Sequence, residues 1–484
     1  MQKLPYILLG FGFFFLAISL VSWHVGPSIL GSQQQQGANG AEEQASLNPS
    51  QFKTENYLRV YFFNVSNPNE VIAGQKPVLQ EVGPYVYQED TSRMIRGFDA
   101  EIGAVSYVDD EVFYFREDLS NNLTEDDVVT IINIPYVGLV QEVSKLSSLA
   151  RVLIKGVVTR FNEGLFMTKT VKELNFGGFR HELLTSLGSI TGETYVPNNT
   201  FGLFYGRNHS NYGVFSVSLG SKNRDDLGKI VTWNNTSELE WWKDARCRKL
   251  EGSYDGSLFP PGITKQSIIR IFHPALCRTF KYGFKDDVEV QGIPGYRFTL
   301  LPTELEDPRT RPENMCYCTS PGENNEDCPK SGSYQLNACS KDASVSISLP
   351  HFVYGSEEYL NQAIGYHPDE GSHVSHVDIE PNTGLFLKLS RRVQVNLHLR
   401  PLRLFSDFRK VSNMLFPSIW TENTKEILPQ MAEVFKQKMY SGYVQLMLPV
   451  IVAGLALLVG LILVILALII LVIRVRKEKT RYTT

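Results

Sequence analysis

A mainly β body held in a membrane by one apolar helix at each end is the fold class this sequence predicts, and three observations carry the prediction. Two membrane-length apolar runs bracket the chain. The long segment between them alternates apolar and polar residues with period two, the signature of half-buried antiparallel strands. All six cysteines and all six N-x-S/T sequons fall inside that segment.

Residues 1–3 form a short tail, and Leu4 to Val25 (LPYILLGFGFFFLAISLVSWHV) is the first apolar run. Lys3 is the only charge before it, which favours a cytoplasmic N-terminus. A cleaved signal peptide has an apolar region of roughly 7 to 15 residues, and this run is longer, so it reads as an uncleaved anchor. The second run, Leu446 to Ile473, carries no charge. At about 42 Å of helix against a hydrocarbon core of about 30 Å, it spans with tilt. Residues 474–484 hold Arg474, Arg476, Lys477, Lys479 and Arg481 against Glu478, a basic flank that stays inside. Residues 26–445 are therefore expected outside the cell or in a lumen, with both termini cytoplasmic.

That body is long enough for a sizeable core, and the chain is 43% hydrophobic and 11% aromatic, ordinary values for a folded protein. Setting aside Lys3, the five tail cations and Glu478 leaves 41 basic against 50 acidic residues, a net of −9, which disfavours nucleic acid as a partner. The sequons begin at Asn64, Asn122, Asn198, Asn208, Asn234 and Asn235, and glycans are added only to segments that enter the secretory lumen. The cysteines, Cys247, Cys277, Cys316, Cys318, Cys328 and Cys339, form an even set in one window, 247–339, that an oxidising compartment turns into three bridges. Their pairing stays open at this level. A zinc site drawing on His273 and His351 is disfavoured, because Cys316 and Cys318 lack the gap of common zinc knuckles.

Along the chain, Gly31 to Ser46 (GSQQQQGANGAEEQAS) has nothing to bury and reads as a flexible stalk, with order beginning near Tyr57. Strands are expected where Leu58, Val60 and Phe62 alternate, around Phe215 and Val217, through Val345, Ile347 and Leu349, and from Leu385 to Leu399. The main helical exception is Leu139 to Phe161, where Val143, Leu146, Ala150, Leu153, Ile154, Val157 and Phe161 recur at three- and four-residue steps. Thr168 to Leu187 reads as a second helix, and Thr424 to Tyr440 as a third. Without an internal repeat or linker, the body reads as one domain.

The chain contains no nucleophile elbow, H-E-x-x-H pair, Walker loop or G-x-G-x-x-G fingerprint, so no enzyme, cofactor or metal is expected. His367, His373 and His376, near Asp369, Glu370 and Asp378, match no ligand spacing and read as a polar loop between two strands.

Several long strings, in register from about residue 50 to the second anchor, carry a resemblance. They are Leu58 to Glu89, Leu258 to Phe280 (LFPPGITKQSIIRIFHPALCRTF), Gly292 to Leu300 (GIPGYRFTL), Cys316-Tyr317-Cys318, Ser346 to Gly355 (SISLPHFVYG) and Asp378 to Leu399. Together they resemble the class B scavenger receptors, which include the fatty-acid translocase, the high-density-lipoprotein receptor, lysosomal integral membrane proteins and insect sensory neuron membrane proteins. The resemblance implies a barrel-like antiparallel ectodomain with an internal hydrophobic tunnel and an apical helical bundle at about 139–187. It also implies the pairs Cys247–Cys316, Cys277–Cys339 and Cys318–Cys328.

For function, the resemblance implies capture of lipids, lipoproteins or other anionic ligands at the apex, with fatty acids, sterols and oxidised phospholipids as cargo passing to the membrane. The cations Lys145, Arg151, Lys155 and Arg160 meet no acid between Glu142 and Glu163, a positive patch on a negative body. Lipid-binding members carry a lysine where this chain has Asn162. A histidine switch of the lysosomal kind is not expected, because none lies between Leu139 and Phe161. The tails carry neither an acidic di-leucine signal nor a cysteine, which points to the plasma membrane. The alternative is an endosomal or lysosomal receptor that carries a soluble protein partner.

Overall fold

The computed structural model describes residues 54–482 apart from 145, 162, 192–196, 320–326, 337 and 340–344, together with positions 4, 7–9, 11, 13–16 and 19. The chain divides into two compact units, residues 52–428 and the two chain ends, 1–51 with 429–484.

The first unit is built on strands. They are β1 (Thr54–Val65), β2 (Leu79–Asp99), β3 (Ala104–Phe115), β4 (Val128–Ile132), β5 (Phe166–Thr170), β6 (Phe179–Arg180), β7 (Thr200–Phe201), β8 (Phe215–Ser218) and β9 (Ile230–Trp233). Then come β10 (Ile268–His273), β11 (Arg278–Val290), β12 (Ile293–Leu300), β13 (Ser333–Gln335), β14 (Val345–Ser348), β15 (His376–Glu380), β16 (Leu385–Leu399) and β17 (Met414–Ile427). Thirteen of them form one sheet in the order β10-β11-β12-β15-β16-β17-β1-β2-β3-β8-β9, with β14 against β16 and β13 against β14. The small pairs β4-β5 and β6-β7 stand apart.

Period two does what the sequence requires of it. In β1, Leu58, Val60 and Phe62 are buried on one face while Arg59 and Tyr61 stay partly exposed on the other. The first strand lies beside the last, Thr54 opposite Ile427, so the centre of the sheet is a contact between chain ends more than 370 residues apart. The barrel expectation is met only in part, because the ladder is open. Its edges, β9 and β10, are joined by Ser253 and Tyr254, two residues outside any strand. Ile230 N–H donates to Ser253 O (2.8 Å), Tyr254 N–H to Arg270 O (2.7 Å) and Phe272 N–H to Tyr254 O (2.9 Å).

One face of the sheet carries two apolar clusters, on different sets of strands. Leu58, Val60, Phe62, Tyr85 and Tyr87 gather in one cluster, and Ile269, Ile271, Phe280, Phe298 and Leu389 in another. The same face also carries ionised groups. Arg93 makes a two-pronged bond to Asp109 (2.7 Å to each oxygen) and stacks 3.8 Å from the Tyr107 ring. Lys425 lies 3.1 Å from the buried Glu89, and Arg207 3.1 Å from Glu111. Pairing is what lets these charges be buried, since a lone ion there costs several kcal/mol.

Disulfides join Cys247 to Cys316, Cys277 to Cys339 and Cys318 to Cys328. The first two border a cluster of Trp242, Leu250 and Phe272, and Trp241 and Trp242 both donate their indole N–H to Cys277 O.

Three helical expectations are corrected. Leu139–Phe161 is not one helix but the end of α1 (Ile134–Ser144) and the whole of α2 (Ser148–Val158). Ser147 takes an extended conformation and caps α2, its hydroxyl accepting from Ala150 N–H, the job serine does best at a helix start. The span 168–187 is cut because Thr168–Thr170 belongs to β5, paired with β4, and because Gly178 sits at φ +69°. Its helical parts are the single turn Val171–Leu174, capped by Thr170, and the last part, which joins α3 (Glu182–Thr191). Thr424–Ile427 remains in β17, opposite Tyr57 and Ser390, and the helix waits for Pro429, whose missing N–H suits a first turn.

In the second unit, α4 (Pro429–Tyr482) contains Val450–Lys477, a stretch long and apolar enough to cross a membrane. A shorter apolar helical segment runs from Ile7 to Leu16. Most of the first anchor and the whole stalk, Gly31–Ser46, lie outside the described residues.

Candidate ligand-binding surface

The helices α1, α2 and α3 pack over one end of the sheet. Val137, Val140 and Val143 of α1, Val158 of α2 and Leu183 and Leu187 of α3 share a core with Phe63 and Val65 of β1, Leu397 and Leu399 of β16 and Met414 and Phe416 of β17. That is the end opposite Thr54 and Ile427, about 43 Å away along β17 at strand rise.

Here α2 shows an unusual face. Leu149, Val152 and Leu153 are 71%, 60% and 64% exposed, and Leu146 before the helix is also open. Of the cations read from the sequence, Lys155 is exposed in the last turn and Arg160 is exposed just beyond it. Neither is ion-paired among the described residues. Arg151 is half-buried and donates to Ser148 Oγ (3.3 Å), so it is a lesser contributor. Lys145 and Asn162 lie outside the described residues. The surface is thus apolar and cationic together, a combination suited to amphiphiles carrying negative charge.

Sequence reasoning missed a second source of cations. The segment Arg400–Lys410 (RPLRLFSDFRK) exposes Arg400, Arg403, Arg409 and Lys410 against one acid, Asp407. It is held beside α1 by Phe405 and Phe408, whose ring meets Tyr136 edge-on at 5.6 Å, and by Tyr136 O–H donating to Asp407 Oδ1 (3.3 Å). Burial raises the Asp407 pKa, which that hydrogen bond partly offsets. The four-to-one charge ratio was a readable signal, but its place beside α1 is a tertiary fact.

A histidine belongs to this end after all, though it lies outside Leu139–Phe161. His181, just before α3, is buried, its Nε2 3.8 Å from Glu163 Oε1. Glu163 also accepts from Asn133 Nδ2 (3.0 Å). Burial holds the imidazole below its usual pKa, with the Glu163 charge opposing and Lys169 assisting.

The other histidine group is also more than a loop. His367 is exposed, but His373 and His376 are buried. The His373 ring lies 4.6 Å from that of His351, whose Nε2 is 2.6 Å from Glu81 Oε2, and Trp420 Nε1–H donates to the same oxygen (2.6 Å). Asp378 is paired with Arg297. Among the described residues no group of three His, Cys, Asp or Glu side chains is placed to hold a metal.

Two cavities differ in character. One, between His273, Phe280, Tyr282, Leu300, Ile347 and Arg391, leaves about 20 Å³ free, room for a water molecule and not for an acyl chain. The other, about 140 Å³ and lined by Lys330, Glu358, His398 and Arg400, is polar.

Comparison with known proteins agrees with the resemblance carried by the long strings. A profile of the CD36 family matches residues 8–471. Mouse (Mus musculus) "Lysosome membrane protein 2" is 32% identical over 406 residues, 84% of this chain and 82% of that protein. Rat (Rattus norvegicus) "Scavenger receptor class B member 1" is 32% identical over 370 residues, 76% of this chain and 70% of that protein. "Sensory neuron membrane protein 2" of Manduca sexta is 29% identical over 447 residues, 87% and 85% of the two chains. A match across nearly the whole length, on a β-rich body with three disulfides and a membrane-length helix, makes this chain a member of the CD36 family, the class B scavenger receptors.

Proposed function

We propose that this chain is a cell-surface scavenger receptor that captures anionic lipids, lipoproteins or related ligands on α2 and its neighbours and passes apolar cargo through the body to the membrane, without catalysis. The observation that carries the reading is the exposed face of α2, where Leu149, Val152 and Leu153 stand beside Lys155 and Arg160. Apolar contact there gains roughly 25 cal/mol per Å² removed from water, and the cations select negative partners. Passage requires side chains around His273 and Tyr282 to move, since the space between them holds only water. The topology belongs to the same proposal: two spanning helices, Leu4–Val25 and Leu446–Ile473, cytoplasmic termini and plasma-membrane residence. So do glycans at the exposed Asn122, Asn198, Asn208, Asn234 and Asn235. Asn64 is less apt, being half-buried.

The test is capture of phosphatidylserine-containing liposomes by cells expressing the K155E/R160E variant. The expected result is a several-fold loss with unchanged surface biotinylation, and capture equal to wild type removes these cations from the mechanism. A second reading, an endosomal or lysosomal receptor for a soluble protein, is favoured by His181 and Glu163 beneath the same helices. Residence in lysosomes with a co-purifying hydrolase supports it.

A further inference from the structure

We propose that the tip of the β2–β3 hairpin is a lipid-contact element that seats in the headgroup layer of a zwitterionic phosphatidylcholine surface. The body's chain ends define the direction. Thr54 lies opposite Ile427, so the chain enters and leaves at one end of the sheet, and α4, with its membrane-length stretch, follows at Pro429. From the far end, β2 runs back toward Thr54, makes its last pairing with β1 at Gln88 and continues to Asp99. Thr91 is level with the start of β1, its hydroxyl accepting from Asn56 Nδ2 (3.2 Å). The stretch from Thr91 to Asp99 therefore continues roughly 26 Å along the strand beyond the level of Thr54.

The tip exposes large apolar side chains where solvent would favour polar ones. Phe98 is 67% exposed, Ile102 45% and Met94 43%. A register shift between Ile95 and Gly97 sets Phe98 opposite the buried Val105, yet its own ring stands beyond the core that covers Val105. The turn is closed on itself, since Asp99 Oδ1 accepts from the N–H groups of Glu101 (2.9 Å) and Ile102 (3.1 Å). Two amide donors that would resist leaving water are thereby satisfied.

Charge around the tip selects the lipid. Arg96 on the hairpin and Lys222 and Arg224 on the adjoining loop, where Leu219 N–H donates to Gly103 O, face Asp99, Glu101 and Asp225 in equal number. Asp226 is taken up by Lys229 (2.7 Å). A balanced rim around an apolar tip fits paired phosphate and choline charges better than an anionic surface. Neighbouring turns at this end are polar: Gln291 donates to Glu426, and Asn382 and Thr383 bond to Glu380. Those two turns do not share the hairpin's exposed apolar side chains.

All six cysteines are in disulfides, so a single added thiol can be labelled. Full-length F98C and I102C, labelled with an environment-sensitive nitrobenzoxadiazole and placed in phosphatidylcholine nanodiscs, are compared with Y114C, an exposed position on β3. Blue-shifted emission and quenching by doxyl-labelled phosphatidylcholine are expected at 98 and 102 and not at 114, unchanged by added phosphatidylserine. Water-like emission at both tip positions overturns the proposal. So does a blue shift that lipid spin labels leave unquenched, which would put the tip against a second copy of the chain, and so does quenching that needs phosphatidylserine.

Discussion

At the scale of single residues, the buried histidine before α3 is the most consequential group. His181 is held neutral by burial, so its folded pKa lies below its unfolded value of about 6.5. The unfolded segment then binds more protons as pH falls, and the stability that the neutral ring contributes is present above that value and lost below it. Acidification from pH 7.5 to 5 is expected to raise amide exchange across residues 182–191 in the wild type and much less in H181Q. Equal exchange in the two would show that His181 does not couple protonation to α3. In the sequence the cations of α2 were legible as a run without acids. His181 was not, because only folding sets Glu163 beside it. Arg403, Arg409 and Lys410 escaped for the same reason.

At the scale of elements, what was legible was whatever depends on near neighbours. Leu58, Val60 and Phe62, or Leu385 to Leu389, declare strands by alternation alone. Helix ends were less legible, since the apolar stripe through Leu146 and Leu153 continues across Ser147, and only the structure shows those two leucines turned outward while Val143 and Val158 are buried. Strand partners were not legible at all, because β1 chooses β17 across the whole body. The disulfide-bearing segment is the element most exposed to a single loss. Cys247–Cys316 and Cys277–Cys339 close separations of 69 and 62 residues. Each is worth roughly 4 kcal/mol by chain entropy. The C277S/C339S variant is expected to lose most of its surface population, measured by biotinylation against total protein. Normal surface levels would mean that the packing of Trp242 and Phe272 suffices without the bridge.

Across the whole molecule, buried histidines make acid the natural stressor. Burial lowers the pKa of His373 to about 4, of His376 to about 3 and of His398 to about 4, and burial with the nearby Arg391 also holds His273 well below its usual value. All four bind protons more readily when unfolded, so stability is full above about pH 6.5 and declines as pH falls toward 4. Paired carboxylates such as Glu89 and Asp109 have lowered pKa values, so they too bind protons more readily when unfolded and add to the loss. Thermal melts should show Tm falling steadily from pH 7 to pH 5, and a flat profile would contradict the burial of these rings. The joint between β9 and β10 matters at this scale too. A ring of strands zipped all the way round has a fixed circumference, and widening it means breaking a long ladder. Here the last link is Ser253 and Tyr254, with three backbone bonds named across it. Each such bond contributes about 1 kcal/mol net. Opening that joint would break these bonds and part the Trp233 and Phe272 rings, 5.4 Å apart, while every long ladder stays zipped.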